Sequence, residues 1–232
     1  MLMLIKAFMR KNSLFYAIAL SVVSLGIEKQ ALAQTVIPLD LTSWETLGDV
    51  EVNTPGRANL STDALIEDDF DLGVPNGTFN FSGNPASPVE GFGSEPFLDD
   101  FLNIDVSVLD GDTFALEGSA IKTSVTVRQN DILSFDWNFL TNETSPQIVT
   151  QFDDYSFFLV NEDLTTLATI DDTTAPGSLL GFDRETGTNS FDFTFPQAGT
   201  YQIALGVLDR EDFITTSALS ISNVTLTSEP TS

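Results

Sequence analysis

Asn142-Glu143 and, ten residues later, Asp153-Asp154 bring four oxygen-bearing side chains to the two flanks of one loop. Carboxylates and amide oxygens in that arrangement suit a hard divalent cation. Calcium takes six to eight oxygen ligands at about 2.3–2.6 Å, from carboxylates, amides, backbone carbonyls and water. Without a cation, carboxylates held so close repel one another or share protons. Glu143 and Asp154 are therefore expected as the principal calcium ligands, with Asn142 and Asp153 in support. Asp209 and Asp212 lie after the apolar run that ends at Leu208 and are weaker candidates for the same shell. Asp136 and Asn138 alternate with aromatic residues and are candidates for hydrogen bonding to sugar hydroxyls. Alternation by itself also accounts for them as an ordinary solvent-facing row.

The residues that are absent narrow the chemistry. The chain has no His and no Cys, which excludes Ser-His-Asp and Cys-His catalysis, histidine zinc sites, thiol chemistry and disulfide staples. An enzyme built from what remains would work with carboxylates. A carbohydrate-active hydrolase pairing Glu143 with Asp154 or Asp136 is the catalytic alternative. Its two carboxyls would stand ~5–5.5 Å apart for retention or ~6.5–9.5 Å for inversion.

The first 33 residues read as a signal peptide. Lys6, Arg10 and Lys11 precede an apolar stretch over 13–26, and Ala31-Leu32-Ala33 forms a small-x-small cleavage site. The apolar stretch falls short of the ~20 residues of a membrane span. Beyond the leader, 33 acidic residues face five basic ones, Arg57, Lys122, Arg128, Arg184 and Arg210. That field repels nucleic acid and anionic membrane surfaces and attracts divalent cations.

Residues 34–227 read as one domain, followed by a short tail over 228–232. Leu133, Phe135, Trp137 and Phe139 share one face of an alternating run, and Phe191, Phe193 and Phe195 share another. Tyr201, Ile203, Leu205 and Val207 repeat the pattern after the Gly199-Thr200 turn. Further strands are predicted near 36–41, 44–52, 77–81, 119–128, 154–160, 164–170 and 217–226. One or two short helices are expected within 94–108, capped by Ser94, with Pro96 in the first turn, packed over a sheet edge. The fold class is all-β: an antiparallel, jelly-roll-like β-sandwich with its Phe-rich stripes inside.

Several blocks resemble exported cyanobacterial proteins of the PEP-CTERM type: Trp44 to Val50, Glu117 to Lys122, Asp131 to Glu143, Phe152 to Phe157, Ala198 to Tyr201, Gly206 to Asp209, Ser217 to Leu219, and Asn223-Val224. The resemblance implies a surface or matrix component. Members of that family end in a Pro-Glu-Pro motif, an apolar span and a basic tail. Here Ser228-Glu229-Pro230 resembles only the start of such a motif, so no stable membrane anchor is expected. The reading that combines these features is an exported, non-enzymatic, calcium-stabilised domain that binds extracellular polysaccharide. A purely structural surface protein is the other alternative.

Overall fold

Two short strands on either side of Gly48 show how the chain builds two layers at once. β1 (Thr35–Pro38) leads to β2 (Glu45–Leu47), and Gly48, at a φ of +86°, turns the chain into β3 (Asp49–Thr54). β2 joins one sheet and β3 the other, so the single strand expected over 44–52 is divided by a sheet crossing. A side chain at Gly48 would collide with Ser119. β4 (Arg57–Ser61) and β5 (Ser87–Pro88) follow, then helices α1 (Leu98–Leu102) and α2 (Ser107–Asp110). The long strands β6 (Ala115–Val127) and β7 (Ile132–Thr141) come next. β8 (Tyr155–Val160), β9 (Asp163–Thr169), β10 (Ala175–Pro176), β11 (Arg184–Glu185), β12 (Asn189–Thr194), β13 (Gly199–Arg210) and β14 (Ser217–Ser228) complete the order. The computed structural model describes residues 34–65, 74–111, 113–143, 154–177, 180–211 and 213–228. The leader, Asp153, Asp212 and the last four residues of the tail lie outside them.

Sheet A runs β10-β11-β7-β14-β4-β3, with β1 beside β14 and β12 beside β7; sheet B runs β2-β6-β13-β8-β9, with β5 beside β6. The pairings are antiparallel. The expected all-β sandwich is thus the observed fold. Phe135, Phe139, Phe158, Phe195, Leu205 and Leu219 lie in the core between the sheets, and Phe158 packs against Phe135, Phe191 and Phe193 at ring separations of 5.2–5.7 Å.

α1 and α2 cover the outer face of sheet B, not its edge. Leu98, Leu102 and Leu109 pack there with Tyr155, Phe157, Leu159 and Leu208. Burial on both faces removes alternation from the start of β6, which explains why its first residues escape a period-two reading. Ser94 caps nothing: Phe97 stands at the helix start without a side-chain cap. The strand expected over 77–81 is instead a run of turns. Its N–H groups are taken by side chains of the sandwich: Phe79 donates to Asp63 at 3.2 Å, Phe81 to Asp49 at 2.8 Å and Ser82 to Asp49 at 2.7 Å. Phe79 and Phe81 then pack on Phe182, Leu140 and Ala218, outside sheet A.

The connections are sorted by length. Tight turns at 55–56, 128–131, 161–162 and 195–198 close one end of the sandwich. At the opposite end lie the strand ends Ser61, Ala115, Thr141, Tyr155, Thr169, Arg184, Arg210 and Ser217, which flank the longer connections.

Candidate functional site

The carboxylates at the loop end are brought together by register between the sheets, not by a hairpin. β7 belongs to sheet A and β8 to sheet B, so the strands flanking residues 142–154 do not pair. Glu143 and Asp154 instead approach across the gap between the two sheets. Asp209 lies inside β13, not beyond it, and its cross-strand partner on β6 is Glu117. On the other side of β13, Leu208 pairs with Tyr155, which places Asp154 beside Asp209. Leu208 and Tyr155 belong to the helix-side cluster. Alternation therefore turns Asp209, Glu117 and Asp154 to the inner face.

Asp154 and Asp209 are each only 2% exposed and Glu117 6%. Ser217 of sheet A donates its hydroxyl to Asp154 Oδ2 at 2.6 Å, and the Arg210 N–H donates to Oδ1 at 3.2 Å. Burial pushes the Asp154 carboxyl well above the usual carboxylate range. The Ser217 hydroxyl opposes that shift, the Glu143 charge adds to it, and hydrogen bonds from Asp209 and the Arg210 N–H oppose it further. Asp154 and Asp209 thus lie side by side on adjacent strands, with the Glu143 charge bearing on Asp154.

Thr141 and Asn142 support this arrangement from sheet A. The Thr141 hydroxyl accepts the Glu143 N–H at 2.9 Å and lies 2.9 Å from the Ser217 hydroxyl, to which it can donate. Asn142 Oδ1 accepts the Asp183 N–H at 3.0 Å, while its Nδ2 is buried without a hydrogen-bond partner among the described residues. Among the described residues, no group of three or more acidic side chains is arranged to hold a metal ion. Replacing Ser217 by Ala removes one donor from Asp154 and is expected to cost about 1 kcal/mol, read as a small drop in urea midpoint with an unchanged slope.

Asp136 and Asn138 lie on the outer face of sheet A, away from this cluster, and both are engaged within the protein. Asp136 accepts a hydrogen bond from Asn223 Nδ2 at 2.7 Å and from the Ser190 hydroxyl at 2.6 Å, which hold its carboxyl below the usual range. Asn138, 4% exposed, donates to Glu185 Oε2 at 2.8 Å and accepts from the Thr186 hydroxyl. The depressed Asp136 pKa contributes stability above the unfolded value that is lost as pH falls through the folded one. Asp136→Asn should therefore show a slightly flatter loss of stability in acid than the parent, followed by urea unfolding.

Asp136 lies on the outer face of sheet A, bonded to Ser190 and Asn223, so it does not pair with Glu143 across a cleft. A groove of about 480 Å³ runs beside β2 and β5, lined by Thr46, Asn84, Ser87, Ser94 and Glu95 among others. None of the candidate residues lines it.

Glu117 and Ser217 were not expected at the site. Glu117 sits where β6 is buried on both faces, and Ser217 reaches Asp154 only because the sheets stack. Neither condition leaves a local pattern in the sequence.

No family model matches the chain, and no curated protein matches it. Two solved structures are similar over about half of it. One is a CBM4 structure, 11% identical with a TM-score of 0.22, covering 47% of this chain and 59% of that one. The other is TmCBM27, a carbohydrate-binding module described for specific mannan recognition, 12% identical with a TM-score of 0.22, covering 49% and 67%. The chain thus spans 59% of the length of the first. Similarity at this level carries no functional argument.

Proposed function

We propose that this chain is an exported binding module whose loop end takes up calcium and whose ligand is an extracellular polysaccharide. Glu143, Asp154 and Asp209 are the proposed ligands, with Asn142 beside them. The observation that supports this most is the adjacency of buried Asp154 and Asp209 on paired strands, next to Glu143. A divalent ion in that position relieves the repulsion among the carboxylates and favours their charged forms. The described carboxylates do not by themselves surround an ion, so the proposal requires Asp153 or Asp212 to complete the shell.

Calcium in this role acts as a structural clamp. It ties β8 and β13 of sheet B to the end of β7 in sheet A, and so steadies the long connections at that end. Loops positioned by a rigid sandwich are where such folds present ligand contacts. Export rests on the leader over 1–33 and on the resemblance to exported surface proteins. Among the described residues no helix is long and apolar enough to cross a membrane.

Calorimetric titration of the purified chain with calcium tests the metal. One saturable class of site, absent from Asp154→Ala and from Asp212→Ala, supports the proposal; no heat, or equal heat in the variants, removes it. Co-sedimentation with insoluble polysaccharides, with calcium and with chelator, tests the ligand. Calcium-dependent retention on one polymer supports a binding module, and no retention on any of them leaves a structural surface protein.

A further inference from the structure

Phe92 and Phe114 are 41% and 61% exposed, unlike Phe135, Phe139, Phe158 and Phe195, which lie in the core. Their rings meet each other, with centroids 6.3 Å apart and planes inclined at 55°. Two rings so inclined make a notch instead of a flat platform, and a flat sugar face cannot lie on both. A compact cation can stand within ~6 Å of both centroids, the range in which a ring quadrupole attracts positive charge.

The notch is held by backbone bonds. Phe114 N–H donates to Glu211 Oε1 at 2.9 Å and Glu211 N–H donates back to the Phe114 carbonyl at 3.1 Å. Glu211 adopts a left-handed φ of +69° to close that pair. Phe92 closes a turn onto the Val89 carbonyl at 3.1 Å, and Val89 is bonded to Leu116 of β6 at 2.9 Å. Both rings are thereby referenced to the start of one strand. The surrounding charge is negative: Glu211 is bonded to Phe114, and Glu90 and Glu95 flank Phe92 in the chain. Asp110 accepts the Ala115 N–H at 3.0 Å. The neighbouring base, Arg210, is turned to the Asp110 carbonyl and over the Tyr155 ring. Aromatic walls beside a carboxylate form the usual arrangement for recognising organic ammonium groups.

We propose that Phe92, Phe114 and Glu211 form a recognition site for an organic ammonium group, free or carried on an amino-sugar polymer. The site needs no calcium, so it stands or falls apart from the metal reading. Backbone amide shifts of the whole chain, followed by NMR, test it with choline chloride against its uncharged isostere 3,3-dimethylbutan-1-ol, sodium chloride matching ionic strength. Saturable shifts at Phe92, Phe114 and Glu211 are expected with choline at roughly millimolar affinity, and not with the alcohol. Phe114→Ala removes an exposed side chain and leaves the core intact; it should abolish those shifts. Glu211→Gln should weaken binding by about fivefold. Equal binding of the alcohol, or choline binding unchanged in Phe114→Ala, overturns the assignment. Glucosamine oligomers against their N-acetylated forms then identify the source. Tighter binding of the amine-bearing oligomer, lost in the same variants, assigns the group to a polymer, and tighter binding of choline assigns it to a free small molecule.

Discussion

In excess calcium the purified chain is expected to melt about 5–10 °C higher than in chelator. An ion that binds only the native state at about 100 times its dissociation constant adds ~2.7 kcal/mol. For a domain of this size each kilocalorie moves the melting temperature by roughly 2–4 °C. Asp154→Ala should lose the calcium-dependent rise. In chelator it should melt a few degrees below the parent, because Ser217 and the Arg210 N–H lose their acceptor. The quantity to read is therefore the difference between calcium and chelator within the variant. That difference separates loss of the ion from damage to the fold. Equal melting of the parent with calcium and with chelator would eliminate the metal and leave the acidity of the chain as a solubility feature. A rise that magnesium reproduces would point to a general divalent effect, since magnesium demands a tighter octahedron and gives up its waters reluctantly.

Asp49→Ala should destabilise the chain by about 3–5 kcal/mol, the scale of breaking a buried polar network by deleting one partner. Asp49 is wholly buried and accepts the Ser61 hydroxyl at 2.5 Å and the N–H groups of Phe81 and Ser82. Its loss leaves three donors unsatisfied and frees the run of turns that places Phe79 and Phe81 on Phe182. The expected result is a large fall in urea midpoint, with earlier proteolysis between residues 74 and 86. Asp49 also confers a pH dependence. Burial pushes its carboxyl above the ordinary 3.8 against the pull of its hydrogen bonds. The folded state therefore binds more protons than the unfolded state above that value, and stability falls as pH rises through the folded pKa. Asp49→Asn cannot ionise, and its stability curve should be flatter over the same window. Parallel curves for parent and Asn variant would show that Asp49 does not titrate there.

The elements with a strict period of two were legible without the structure. Leu133 to Phe139 and Phe191 to Phe195 each bury one face, and a half-buried strand imprints that face on its sequence. Tyr201 to Val207 is buried on both faces beyond Gln202, and its alternation survives because the helix-side positions are the small Ala204 and Gly206. The absence of His and Cys needed no structure either, because chemistry that depends on a residue type ends with that type. Where packing covers both faces of a strand, as in the first half of β6, the imprint disappears, and the strand start and Glu117 went unread. Residues 77–81 show the converse. Phe79 and Phe81 alternate as in a strand, but buried carboxylates twelve or more positions away hold the backbone in turns.

The site followed the same division. That Glu143, Asp154 and Asp209 carry oxygen donors could be read from the chain itself. That Asp209 meets Asp154 depends on the antiparallel register of β8 on β13, and that Ser217 reaches Asp154 depends on the stacking of sheet A on sheet B. Asp136 and Asn138 looked free for a ligand from alternation alone; Ser190, Asn223, Glu185 and Thr186, all distant in the chain, engage them. The sequence by itself determined which atoms are available and which strands must hide a face, because both follow from residue type and local period. Tertiary structure alone decided which carboxylates lie together and which polar groups are already satisfied, because those outcomes depend on contacts between residues far apart in the chain.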